Sequence, residues 1–260
     1  MEKRIVSMDL IRGISALLVC ASHLRNAIFV DYAESGATGP IAKGFYFLTG
    51  LGHESVMVFF VLSGFFVGGS VLKRRSSFRF SSYLTARLSR LWTPLVPALI
   101  FTLLIDLTLA GWYPDLLAGE YRDVLTSGPD AAYSMTPLTF LGNLLFLQTV
   151  FTPVFGTNSP LWSLAYEFWF YLLFPLIGLV AGFVKTSNFG RAIAVGSLLL
   201  AAFSLPIGLF EGFLIWLMGV LVFGVFQWAS GPAPRYILPI GVICFGLTLI
   251  NSSFGLLPDG

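Results

Sequence analysis

Arg12 and His23 stand eleven positions apart in the segment MDLIRGISALLVCASHL. At about 100° per residue an α-helix returns the second side chain to within roughly 20° of the first, about 16 Å further along the axis. The two therefore share a face. A third ionisable side chain, Glu167, lies in the run LWSLAYEFWFYLLFP (161–175), with Ser163 four positions before it on the same helical face. Ionisable groups are expensive inside apolar segments and are a sign of function by default. An imidazole exchanges a proton near neutral pH, and a guanidinium holds anions. Plainer readings stand beside these. Arg12 can snorkel to anionic head groups, His23 can hydrogen-bond a neighbouring helix, and Glu167 can tether two helices. A carboxylate flanked by so many aromatic rings needs a partner, and Arg12, His23 or another cation is the expected one.

A second set of residues is basic. Lys73, Arg74, Arg75, Arg79, Arg87 and Arg90 crowd one short stretch. Arg87 and Arg90 are three apart at the expected mouth of a helix, so they can converge on one phosphate group or simply mark the cytoplasmic side. The other four read as topology signals and contacts to anionic lipid. Ser63, beside Gly64 in FFVLSGFF, reads first as a helix-packing hydroxyl. His53 and Glu54 could face a cavity from just outside a span, though exposed loop residues of these types need no function. The two histidines, thirty positions apart, have no supporting Cys, Asp or Glu ligand pattern, so no metal site is expected. Cys20 and Cys244 fall in apolar runs and read as buried thiols.

The elements that position these groups must sit in lipid. Of 260 residues, 56% are hydrophobic, 16% aromatic and 11% charged, whereas a soluble domain carries charge on about a quarter of its residues. So few charges cannot cover a globule of this size in water. The composition excludes a soluble protein, a disordered chain, a nucleic-acid-binding module and a disulfide scaffold. Seven stretches approach the roughly 20 helical residues that cross a hydrocarbon core, at about 10–30, 55–72, 91–111, 161–184, 191–209, 212–229 and 236–250. The apolar stretch 138–150 is too short and reads as a half-embedded helix. The fold class is therefore all-α, a polytopic transmembrane helix bundle of about seven spans, expected as a single membrane domain over 1–260.

Lys3 and Arg4, the basic stretch 73–90, and Lys185, Arg191 and Arg235 fall on one side if 138–150 does not cross. Loops 31–54 and 112–137 hold Asp31, Glu34, Glu54, Asp115, Glu120, Asp123 and Asp130 against Lys43 and Arg122. The N-terminus is therefore expected in the cytoplasm. Asp9, Arg12, His23 and Arg25 interrupt the first apolar run, so it reads as a retained helix rather than a cleaved leader.

Taken together, these runs resemble acyltransferase family 3, the integral membrane acyltransferases. The Arg12 to His23 spacing is similar to that family's first-helix motif, and FFVLSGFFVG (59–68) to its second-helix signature. ARLSRLWTPLVP resembles its basic entry into the third helix. GNLLFLQ (142–148), LWSLAYEFWFYLLFP and FLIWLMGVLVFG (213–224) follow in the family's order.

The resemblance implies transfer of an acyl group, often acetyl, from cytoplasmic acyl-CoA to a hydroxyl of an extracytoplasmic glycan or similar acceptor. It implies His23 as general base or as a transient acyl carrier, with Arg12 and Glu167 completing the catalytic set. Arg87, Arg90, Ser63, Ser163 and Trp162 are the implied acyl-CoA-binding residues. No cofactor is implied beyond the donor. The bilayer is the expected partner and a bacterial inner (plasma) membrane the expected location. The family has about ten helices, so this chain reads as shortened at its C-terminus, and a homo-oligomer could complete its pockets. The rival reading is a transporter or proton-coupled flippase using an Arg12/His23/Glu167 track, and a third is a catalytically silent scaffold.

Overall fold

A computed structural model describes residues 6–32, 35–36, 38–118 and 133–228. The expected span 236–250, Cys244, Arg235, Lys3, Arg4, Glu34 and the centre of the 112–137 loop lie outside the described residues. Within them every regular element is helical.

Helix α1 (Val6–Ile28) is followed by α2 (Pro40–Gly50) and α3 (Gly52–Ser63), a π-helical turn (Gly64–Gly68) and α4 (Gly69–Lys73). These four form one apolar run, Pro40–Lys73, of 34 residues. The segment 31–54 is thus not the loop expected of it, because Pro40 opens a helix from its first-turn position. Helix α5 (Phe80–Trp112) is 33 residues long. It begins well before position 91, so Arg87 and Arg90 lie two to three turns inside a helix rather than at its mouth.

Short helices α6 (Pro114–Ala118) and α7 (Pro137–Leu144) precede a strap, 145–160, that leads into α8 (Leu161–Val180). Helices α9 (Asn188–Ser204) and α10 (Ile207–Trp228) complete the described chain. Among the described residues five helical runs are long and apolar enough to cross a membrane, and α9, with 17 residues, is a shorter apolar helix. The outward faces of α9 and α10 expose Phe189, Leu200, Phe203, Leu214 and Leu221, as lipid contact requires. Cys20, expected buried, is exposed on α1, where lipid rather than protein supplies its apolar surroundings.

Side-chain contacts fix the directions of the helices. Ser22 packs on Gly52, and Arg12 lies over the Phe66 ring at 5.2 Å, so α1 is antiparallel to α3. A Cβ at Gly64 would stand 1.9 Å from the Trp216 carbonyl oxygen, and one at Gly219 1.9 Å from that of Val61. Two backbones touch here, and only glycine permits it. Gly212 beside Phe60, Gly68 beside Val220 and Gly69 beside Phe223 make α10 parallel to α3, and the π turn sits against it. Phe60 packs on Phe170, and Ser63 meets Tyr171, which makes α8 parallel to α3 as well.

The 138–150 segment does not cross. Its helix stops at Leu144, whose carbonyl accepts from Trp92 Nε1 at 2.9 Å, and the strap then climbs back along α5 to Thr157, which is bound to Asp106. The basic residues of 73–90, Lys185 and Arg191 consequently gather at one end of the bundle. Asp31 and Asp115 lie at the other.

Candidate functional site

A cavity of about 1620 Å³ opens among α1, the α3–α4 run, α5, α8 and α10. It collects Arg12, Ser63, Arg87, Arg90, Ser163 and Glu167 from four separate stretches of sequence. Lys73, Arg74 and Arg79, which the sequence suggests are topology markers, also line it. The result is a strongly cationic chamber in which Asp9 and Glu167 are the acidic side chains.

The cations are not spent on ion pairs with Glu167. Arg12 donates to Asp9 at 3.1 Å, one turn earlier on its own helix, and covers Phe66. Arg87 lies over the Tyr83 ring at 5.8 Å, and its buried Nε has no hydrogen-bond partner. A buried guanidinium nitrogen without a partner is costly, and it marks a position where an anion would be stabilised. Lys73 lies over Phe223 at 5.3 Å.

Glu167 finds a different partner from the expected cation. Tyr171, one turn further along α8, donates its hydroxyl to Oε1 at 2.6 Å. Tyr171 Oη is 3.1 Å from Ser63 Oγ, and Trp216 Nε1 donates to that same Oγ at 3.1 Å. Because the tyrosine proton points at Glu167, the serine proton must point at the tyrosine oxygen. A directed chain therefore runs Trp216, Ser63, Tyr171, Glu167 across α10, α3 and α8. Tyr83 adds a bond from its hydroxyl to the Tyr171 carbonyl at 3.1 Å. Ser63 is the last α-helical residue before the π turn, and such turns re-aim side chains at functional positions.

Tyr171, Tyr83 and Trp216 were not singled out by sequence reasoning. The signal for Tyr171 was present, since Glu167 and Tyr171 are four apart and share a helical face. Asp106 was also missed, although it interrupts the apolar run of α5. It is fully buried, and it accepts from the Thr157 backbone N–H at 2.8 Å and the Thr157 hydroxyl at 2.7 Å. Gly156 adopts φ +59°, and a Cβ there would lie 2.1 Å from Asp106 Oδ2.

His23 and Trp162 stand outside the cavity lining. His23 lies one turn beyond the lining residue Val19 on the same face of α1, and it is exposed. Trp162 stacks instead on His53. The GNLLFLQ run has a structural explanation. Asn143 donates to the carbonyls of Thr139 and Pro153 at 2.8 and 3.0 Å and accepts from the Phe155 N–H at 3.0 Å, pinning the strap. Gln148, fully buried, donates to the Leu161 carbonyl at 2.9 Å and so fixes the start of α8.

A family model described as an acyltransferase domain matches residues 5–258. An O-acetyl transferase of Shigella phage Sf6 is 27% identical over 200 residues, covering 76% of this chain and 51% of that protein. Acyltransferase MdmB of Streptomyces mycarofaciens is 32% identical over 176 residues, covering 66% of this chain and 39% of its own length. The chain thus spans about half or less of the length of these curated relatives. No solved structure matches it.

Proposed function

Because this chain belongs to the acyltransferase domain family whose model it matches, we propose that it is an integral membrane O-acyltransferase working across the bilayer. In this reading the basic end faces the cytoplasm, as the distribution of Lys and Arg favours. Acyl-CoA, with acetyl-CoA the first donor to test, enters the cationic chamber from that side. The acceptor hydroxyl, on a glycan or similar molecule, arrives from the opposite end. A bacterial plasma membrane, one domain over 1–260, and a homo-oligomer if the pockets need completing, belong to the same proposal.

One observation carries it. The chamber concentrates Lys73, Arg74, Arg79, Arg87 and Arg90 at one end, holds Arg12 partway along, and extends along the face of α1 that leads to His23. A polyphosphorylated donor with a long, neutral arm matches that asymmetry, because guanidinium groups bind phosphate bidentately and the arm asks only for an apolar channel with scattered hydroxyls. Arg87 and Arg90 would hold phosphate. Ser163 would meet the arm, with Ser63 beside it acting through its bond to Tyr171, and Arg12 would stand partway along it, about 16 Å short of His23.

The chemistry then needs a base. The acceptor hydroxyl attacks the thioester carbonyl while His23 takes its proton. The tetrahedral intermediate collapses to the ester, and the departing sulfur recovers the proton from the imidazolium as CoA thiol. Glu167, held by Tyr171, completes the proposed catalytic set as a carboxylate in the chamber wall.

Replacing His23 by Ala tests this directly. Transfer of radiolabel from acetyl-CoA to cell-envelope glycan should fall by about 10²- to 10⁴-fold, the usual contribution of a general base, with the protein present at normal abundance in the membrane. Full transfer by that variant would refute the assignment. A transporter using the same polar track needs no acetyl-CoA affinity, so donor binding by the purified chain separates the two readings.

A further inference from the structure

On three helices the cavity lining ends at one level. Away from the basic end its last contributors are Val19 on α1, Val56 on α3 and Ser163 on α8. The next residues past that level are chemically distinctive. His23 is one turn beyond Val19, His53 is one turn beyond Val56, and Trp162 immediately precedes Ser163. The close packing of Ser22 on Gly52 sets α1 and α3 in register at this height, since a Cβ on Gly52 would stand 2.6 Å from that of Ser22. His23 and His53 each follow one member of that contact in sequence.

The His53 imidazole stacks on the Trp162 indole, with ring centroids 5.9 Å apart and planes inclined by 24°. Phe60 and Tyr166 brace the indole edge-on, at 6.0 and 5.1 Å. His53 itself is exposed. Bracing of this kind fixes a flat aromatic surface at low entropic cost, and such surfaces serve recognition rather than packing alone.

We propose that His53 and Trp162 form the acceptor platform, a binding site for the ring of a pyranose whose hydroxyl is presented to His23. This rests on the acyl-transfer reading above and names the side and class of its second substrate. The C–H face of a sugar ring carries slight positive charge and meets the negative face of an aromatic ring, while imidazole N–H and N atoms reach hydroxyls. Phosphate fits poorly at this level, because Glu54 adjoins His53, and the nearby Arg25 is engaged by Asn26 and by the Tyr46 ring at 5.6 Å. A neutral sugar is the class that the surroundings leave.

Saturation-transfer NMR on the full chain in detergent reads ring C–H contact directly, with methyl α-L-rhamnopyranoside and methyl α-D-glucopyranoside as probes. Ring-proton signal is expected from at least one glycoside on the wild-type chain. It should fall about fivefold in Trp162→Ala and about twofold in Trp162→Phe and His53→Ala. Binding of radiolabelled acetyl-CoA, measured in parallel, should stay within about twofold of wild type in all three variants, because none of these side chains lines the donor chamber. Absence of ring-proton signal from both glycosides on the wild type, or an undiminished signal in Trp162→Ala, overturns the platform. Loss of acetyl-CoA binding together with the glycoside signal in Trp162→Phe and His53→Ala also overturns it and assigns the pair to the donor. A wild-type chain that contacts the glycosides but binds no acetyl-CoA upholds the platform and refutes the acyl-CoA reading instead.

Discussion

The two ends of α5 treat polar atoms in opposite ways. Towards its C-terminus, Asp106 is fully buried with its carboxyl oxygens taken up by Thr157, and neighbouring Thr102 accepts from Asn158 at 2.8 Å. None of these polar residues lines the chamber. Towards its N-terminus, Arg87 and Arg90 face the 1620 Å³ chamber, and the buried Nε of Arg87 has no hydrogen-bond partner. Polar groups that saturate one another hold a fold together, whereas polar groups left facing a cavity await something the chain does not contain. The same helix thus carries a structural clamp and a candidate binding site about three to five turns apart, and residue type alone does not distinguish them.

Breaking the clamp should produce the largest effect on stability. Asp106→Ala strands the Thr157 N–H and hydroxyl in an apolar interior and removes the anchor of the strap, so a loss of about 2–4 kcal/mol is expected. Thermal unfolding of the detergent-solubilised chain measures it. Acetyl-CoA affinity of the surviving folded fraction should change little, since Asp106 is absent from the chamber lining. A variant that keeps wild-type stability would show that the clamp is incidental.

The opposite pattern is expected at the other end. Arg87→Ala combined with Arg90→Ala should weaken acetyl-CoA binding by about 10- to 100-fold, the value of one or two charge-assisted contacts to phosphate. The melting temperature should hold, because among the described residues neither guanidinium has an ion pair to lose. Unchanged affinity, measured with radiolabelled donor in detergent, would remove both arginines from the donor site.

Sequence patterning made some of this contrast legible and hid the rest. Hydrophobic run length located the helices of α1, α5, α8 and α10, since a membrane span is a local property of composition. It misjudged the start of α5, because long basic side chains in the first turns of a helix read like a loop. It missed α2 for a different reason, the presence of Gly39 and Pro40 just ahead of an apolar stretch. The spacing of Arg12, Ser63, Ser163, Glu167, Arg87 and Arg90 marked residues that do converge on one chamber. The partner of Glu167 was not foreseen, because a buried carboxylate suggests a cation, while the geometry of one helical turn offers Tyr171. Asp106 was discoverable as a charge in an apolar run, but its partner Thr157 is 51 positions away, and only the folded strap brings it there.

The finest test lies where the two kinds of polar group meet. The chain from Trp216 through Ser63 and Tyr171 to Glu167 is saturated like the clamp yet opens on the chamber like the arginines. Tyr171→Phe removes one hydroxyl and leaves the ring, so Glu167 loses its 2.6 Å donor and Ser63 loses an acceptor. If the chain were purely structural, the change would cost about 1 kcal/mol of stability and leave turnover alone. If it fixes the Glu167 carboxylate for chemistry, stability falls by the same amount, but kcat drops by about tenfold while KM for acetyl-CoA holds, because a misplaced charge raises the barrier without altering donor contacts. Ser63→Ala should give a smaller loss of kcat, since Tyr171 still reaches Glu167 without it. Equal losses in the two variants would mean that Ser63 acts on the donor directly rather than through Tyr171.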